Sequence, residues 1–152
     1  MKRVILLIAI GFTTLTMSAQ KMKEADVPAP VKAAFTKQYP TIKDAKWEME
    51  DGKFEAGFDL NKVETSVLID ATGNIVETES GISVSALPKA VSDYCAKNCA
   101  GKKIKEASKI TDASGKVTYE AEVDEADYTF DSNGNFVKKE VEADDEKDGD
   151  KK

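Results

Sequence analysis

Few residues in this chain could do chemistry. It has no histidine and two cysteines, Cys95 and Cys99. Without histidine, Ser-His-Asp and Cys-His relays, the commonest general base and the usual zinc and haem ligands all drop out. The two thiols and the carboxylates remain. Cys95 and Cys99 stand four apart on one side of an expected helix, and three readings stay open for them. An oxidising compartment favours a disulfide. Four-residue spacing in a regular helix strains that bridge unless the helix unwinds near Asn98, which Asn98 and Gly101 both permit. The alternatives are two buried thiols packing as small hydrophobes, or a redox or metal pair.

The carboxylates cluster as alternating pairs, Glu48/Glu50 and Glu120/Glu122. Alternate residues on a strand share a face, so each pair reads as a wet acidic surface rather than an acid/base couple. The run Asp131-Ser132-Asn133-Gly134-Asn135, with Glu142 as a twelfth position, faintly resembles a calcium loop. Phe136 stands where such a loop needs glycine. Asp, Asn and Gly also suit a hairpin turn for local reasons, and no metal ligand is assigned.

These groups must be positioned by elements that the chain writes twice. Val27-Pro28 opens a segment with Val31, Phe35 and Tyr39, and Leu87-Pro88 opens another with Val91, Cys95 and Cys99. Gly52-Lys53-Phe54-Glu55-Ala56 returns as Gly115-Lys116 and then Tyr119-Glu120-Ala121. Asp70, Gly73-Asn74 and Glu79 return as Asp131, Gly134-Asn135 and Glu140. Such a period marks a duplicated supersecondary unit. Apolar residues four apart predict a helix from Pro28, with Asp26 as its cap and Pro40 as its stop, and a second helix over Pro88 to Asn98. Ala45, Trp47 and Met49, then Phe54, Ala56, Phe58 and Leu60, predict alternating strands around an Asp51-Gly52 hairpin. Further strands are expected at Val67–Ile69 and Asn74–Glu79. In the second repeat they are expected near Ile104–Thr111, Lys116–Asp124, Ala126–Asp131 and Asn135–Val141.

The fold class is therefore α+β: two tandem repeats, each one helix followed by a roughly four-stranded antiparallel meander, with the helices on one face. The divisions are residues 1–19 as a signal peptide, 20–26 as a lead-in, 27–80 as the first repeat, 81–86 as a linker, 87–141 as the second and 142–152 as a disordered acidic tail. The signal rests on Lys2-Arg3 ahead of the apolar Val4 to Phe12. The tail rests on seven acids against three lysines from Glu140 to Lys152. One helix per unit leaves the other sheet face open, and that face reads as acidic: Glu48, Glu50, Glu55 and Asp59 in one repeat, Glu120, Glu122 and Asp124 in the other.

Trp47, the lone tryptophan, has Ile110 as its expected counterpart. Trp47 is either a core anchor or, with the strand slipped by one residue, an exposed hot spot. One of Tyr128 and Phe130 is expected to be exposed. The candidate binding residues are thus Trp47, Glu48, Glu50, Glu55, Asp59, Glu120, Glu122 and Tyr128, with none catalytic.

The tandem of a (Val/Leu)-Pro helix, a Gly-Lys-aromatic-Glu-Ala strand and an Asp-x-x-Gly-Asn turn resembles the PepSY-like, β-lactamase-inhibitor-like family of secreted proteins. The resemblance spans about Val27 to Val141 and implies two α-plus-four-strand units whose concave sheet grips a target. It supplies no catalytic residue. Together these readings predict a non-enzymatic periplasmic or extracellular protein without cofactor. Its expected partner is another envelope protein, one with a basic patch. A basic stripe for nucleic acid is absent, and no membrane span is expected after signal removal. The competing expectations are a small-ligand or cation-binding envelope protein, or a purely structural one.

Overall fold

A computed structural model of the chain describes residues 20–141. The expected signal peptide and acidic tail lie outside the described residues. Both helices begin at proline, whose fixed φ and missing N–H suit a first turn. Pro28 (φ −58°, ψ 144°) precedes α1, Ala29–Gln38, and Pro88 (φ −52°, ψ 139°) precedes α2, Lys89–Asn98. Neither helix has a side-chain cap. Asp26, the expected cap, instead ends a 3-10 turn, Glu24–Asp26, because the proline already supplies the extended entry. Val84–Ala86 makes the matching 3-10 turn before α2.

The strands are β1 (Gln20–Met22), β2 (Lys46–Glu50), β3 (Lys53–Leu60), β4 (Val63–Ile69), β5 (Ile75–Gly81), β6 (Glu106–Asp112), β7 (Val117–Glu122), β8 (Ala126–Asp131) and β9 (Phe136–Val141). All pair antiparallel, in chain order, in a single nine-stranded sheet. β5 and β6 pair from Glu77↔Asp112 to Gly81↔Ser108, so the strands that follow the two helices are fused into one sheet. The three-residue β1 had no alternating run to announce it. It pairs with β2 across α1 as β5 pairs with β6 across α2.

Directly paired residues share a sheet face. Trp47, Ala56, Val67 and Thr78 therefore lie on the same face as Thr111 and Val117 in the second unit. The helices cover this face. Val31 and Phe35 of α1 pack on Trp47, Phe54, Ala56, Phe58, Val67 and Ile69, and Val91 and Cys95 of α2, with Cys99 at its end, on Ala107, Ala121, Val123, Tyr128 and Phe130. Of the two readings of Trp47 the core anchor holds, since it is 5% exposed, and the exposed hot spot does not. Two sequence expectations fail here. Tyr128 and Phe130 are both buried, because strand residues two apart point the same way. Ile110 is not the counterpart of Trp47. Trp47 sits opposite Ala56 and Ala107 sits opposite Ala121, so Ala107 takes that place. The β6–β7 hairpin is longer than β2–β3. Ile110, across from Thr118, accordingly stands where Glu50 stands across from Lys53, on the uncovered face.

The repeated Asp-x-x-Gly-Asn motif closes each unit against its helix. Asp70 Oδ1 accepts from the Thr72 and Asn74 N–H groups (2.8 and 3.0 Å), and Oδ2 accepts from Asn74 Nδ2 (2.9 Å). A Cβ on Gly73 (φ +90°) would lie 2.8 Å from the Pro30 carbonyl oxygen, and one on Gly134 (φ +83°) 2.8 Å from Ala90 Cβ. Only glycine fits both the backbone and the gap. Among the described residues no helix is long and apolar enough to cross a membrane.

Candidate functional site

The uncovered face is built in cross-strand rows. Glu48, Glu55, Leu68, Glu77 and Asp112 lie side by side on β2 to β6. The next row runs Lys46, Gly57, Ser66, Glu79, Ile110, Thr118 and Asp131. A third joins Gly81, Ser108, Glu120, Thr129 and Lys138, and a fourth Glu106, Glu122, Asp127 and Glu140. Sheet curvature hollows these rows into a groove. Two adjoining hollows, of about 470 and 640 Å³, share Glu55, Ser66, Glu79, Glu120 and Asp127. Lys105 donates to Glu122 (3.2 Å), and Lys138 donates to Glu140 (2.7 Å).

Glu48, Glu50, Glu55, Glu120 and Glu122 all line this groove. Asp59 has the same face parity but is exposed beyond the hollows. Asp124 does not join them: it turns away with φ 65° between β7 and β8 and pairs with Lys102. Trp47 and Tyr128 lie on the covered side and leave the candidate surface. The sequence reading passed over Glu77, Glu79, Ile110 and Asp127. Glu77 and Glu79 alternate with Thr78 in β5, a pattern that could have placed them. Ile110 could not be placed without the hairpin length.

Crowded, half-buried carboxylates hold protons tightly, since both desolvation and like charge disfavour ionisation. Burial, reinforced by the negative fields of Glu79 and Asp127, pushes Glu120 up to about 8 against an ordinary value of 4.5. Lys138 opposes this only in part. Burial likewise raises Glu79, with Glu55, Glu77 and Asp127 adding to it and a Ser108 hydrogen bond opposing. Glu77 and Glu50 are raised first by burial, Glu50 further by Glu55 and Asp51. The centre of the groove therefore keeps a proton near neutral pH.

The calcium-like loop is a turn. Asp131 Oδ1 accepts from the Asn133 and Asn135 N–H groups, and Oδ2 from Asn135 Nδ2, each at 2.9 Å. These donors face the carboxylate where a cation would need oxygens, and they hold Asp131 below its usual range. Asp112 makes the same turn with Ser114 and Lys116. Among the described residues no group of three or more Cys, Asp or Glu is arranged to hold a metal ion. Cys95 and Cys99 are free, buried thiols in this structure.

Comparison with solved structures returns the same architecture. A protein whose structure is described as one of the "putative periplasmic proteins" of Bacteroides eggerthii is 18% identical, with a TM-score of 0.66 over 76% of this chain and 88% of that one. A DUF2874 family protein of Bacteroides uniformis is 21% identical, with a TM-score of 0.65 over 75% and 88%. A BLIP-like protein of Bacteroides fragilis is also 21% identical, with a TM-score of 0.58 over 78% and 90%. At these identities the likeness is one of fold. No curated protein matches the chain. The family pattern described as "Putative beta-lactamase-inhibitor-like, PepSY-like" matches residues 14–77 and again 58–138, the two matches overlapping where β3 passes into β5. With that double match over a fold of two helices on one antiparallel sheet, the chain belongs to the PepSY-like family.

Proposed function

We propose that this protein is a non-enzymatic periplasmic binding module whose uncovered sheet face takes a basic segment of a protein partner, in the manner of an inhibitor. The observation that carries the reading is the asymmetry of the sheet. Both helices pack on one face, and the other is a groove lined by Glu48, Glu55, Glu79, Glu106, Glu120 and Glu122 with Lys46 at its margin. A pre-formed concave face of one sign favours association with the opposite sign and raises encounter rates. The carboxylates are spread across strands rather than converged on a point, which suits an extended chain better than a single ion. Leu68 and Ile110 give that face an apolar floor for the stems of lysine or arginine. The described periplasmic relative of similar fold supports the location.

Affinity capture from an exported-protein fraction tests the reading, comparing the native chain with a Glu79→Lys/Glu120→Lys double variant. A saturable partner should bind the native chain, weaken with salt and be lost on charge reversal while the variant still melts cooperatively. A partner indifferent to that reversal would place binding elsewhere.

A further inference from the structure

In the first unit, Phe35 and Tyr39 join the last turns of α1 by ring packing, with centroids 5.5 Å apart. The same two places in α2 hold Cys95 and Cys99, 2% and 4% exposed. Both members of the pair have changed together, to the one residue type that can bond to itself. Around them the neighbours have shrunk as well. Ala107 and Val123 stand where the first unit has Trp47 and Phe58.

The two thiols are neighbours across one helical turn, and burial, reinforced by the Cys99 thiol, pushes the Cys95 thiol up to about 12. In a regular helix, Cβ atoms four apart lie about 5–6 Å from each other. A disulfide needs about 3.5–4.5 Å. The last turn of α2 can supply the difference. Cys99 (φ −101°, ψ 29°) has already left the helical conformation, and Ala100 and Gly101 follow at φ 50° and 77°. The contact that must adjust is the Cys99 N–H donated to the Cys95 carbonyl at 2.9 Å.

We propose that Cys95 and Cys99 are a thiol–disulfide exchange pair that closes an intrachain bridge across the last turn of α2, with a disulfide-bearing oxidant of the cell envelope as co-reactant. Cys99 is the entry sulfur, because it lines a groove of about 310 Å³ beside Ala100, Lys102 and Tyr128. Its thiolate attacks one sulfur of the oxidant, forming a mixed disulfide and expelling one thiolate, which takes up a proton. Cys95 then loses its proton, attacks the Cys99 sulfur and expels the second thiol. Two protein thiols are oxidised to one disulfide, and one external disulfide is reduced to two thiols. This site is independent of the acidic groove.

The test is to refold the full chain in a glutathione redox buffer, alkylate the remaining thiols after denaturation, and weigh the product. The expected result is a monomer with no alkylated cysteine and a mass lower by two hydrogens. In Cys95→Ser the resolving thiol is gone, so a glutathione adduct should accumulate on Cys99. Incubating the already folded native chain with oxidised glutathione should give the bridge more slowly, because the thiols are buried. Two alkylated cysteines after refolding would overturn the proposal. So would a native chain that stops at the glutathione adduct or pairs with a second chain.

Discussion

Beneath α1, Phe35, Tyr39, Trp47 and Phe58 pack ring against ring, with Phe35 edge-on to both Trp47 and Phe58 at 5.3 Å. At the corresponding places beneath α2 are Cys95, Cys99, Ala107 and Val123. The second unit builds its rings around the neighbouring helix position instead, where Tyr94 stacks on Phe136 at 4.8 Å and meets Phe130 edge-on at 5.4 Å. One backbone plan thus tolerates two distributions of apolar volume. Total burial and register hold the fold, and the choice of large side chains at each layer is free to diverge.

The comparison breaks most decisively at Trp47. Trp47→Ala removes a buried ring system and should destabilise the chain by about 3–5 kcal/mol in chemical denaturation. The mirror change, Ala107→Trp, forces a large ring into the second core and should cost about 1–3 kcal/mol. A stable, cooperative Trp47→Ala would show that the ring cluster is not what holds the first unit together. Next come the turn glycines. Gly73→Ala meets a backbone carbonyl at positive φ and should cost about 2–4 kcal/mol. Gly134→Ala meets a methyl group instead and should cost less, so equal melting shifts would argue that φ alone matters.

The third prediction concerns the groove. Glu120 binds its proton more tightly folded than unfolded, so stability falls as pH rises from about 4.5 through about 8. Glu120→Gln removes that slope and should stabilise the chain above pH 8, on the order of 1–2 kcal/mol after allowing for the open groove. Urea midpoints at pH 5 and pH 9 check it, and an unchanged difference between them would reassign the proton. Smallest is the Lys102–Asp124 pair, found only in the second unit, with both side chains about half exposed. Lys102→Ala should leave the thermal midpoint almost unchanged, and a clear loss in a thermal melt would show that the pair braces the α2 terminus.

Much of this arrangement could be read from residue spacing. Proline at each helix start, apolar residues four apart and strict alternation in Phe54–Phe58 are local signals, and the elements formed where those signals lie. Ala126–Asp131 came out with the expected bounds. What was not legible depended on partners. Trp47 has an apolar face whichever way its strand faces, so only pairing with Ala56 fixes its side. Ile110 was misplaced because equal spacing was assumed across hairpins of unequal length. The raised pKa of Glu120 arises from its burial in the groove beside Glu79 of β5 and Asp127 of β8, and no pattern within β7 encodes that. Glu48, Glu50, Glu55 and Glu122 were legible because a solvated face shows in alternation alone.

The strictly sequential order of the sheet also bears on how the chain comes to be folded. Hairpins β2–β3 through β4–β5, and β6–β7 through β8–β9, can zip from short turns at little loop-closure cost. Only β1–β2 and β5–β6 must close over a helix. The first of these involves three residues and the second joins the halves, so the β5–β6 junction is the step on which cooperativity depends. Low mean sequence separation should make each half assemble quickly, with docking at Glu77–Gly81 setting the slowest phase. A stopped-flow trace with a single fast phase for both halves would place that junction in the nucleus instead.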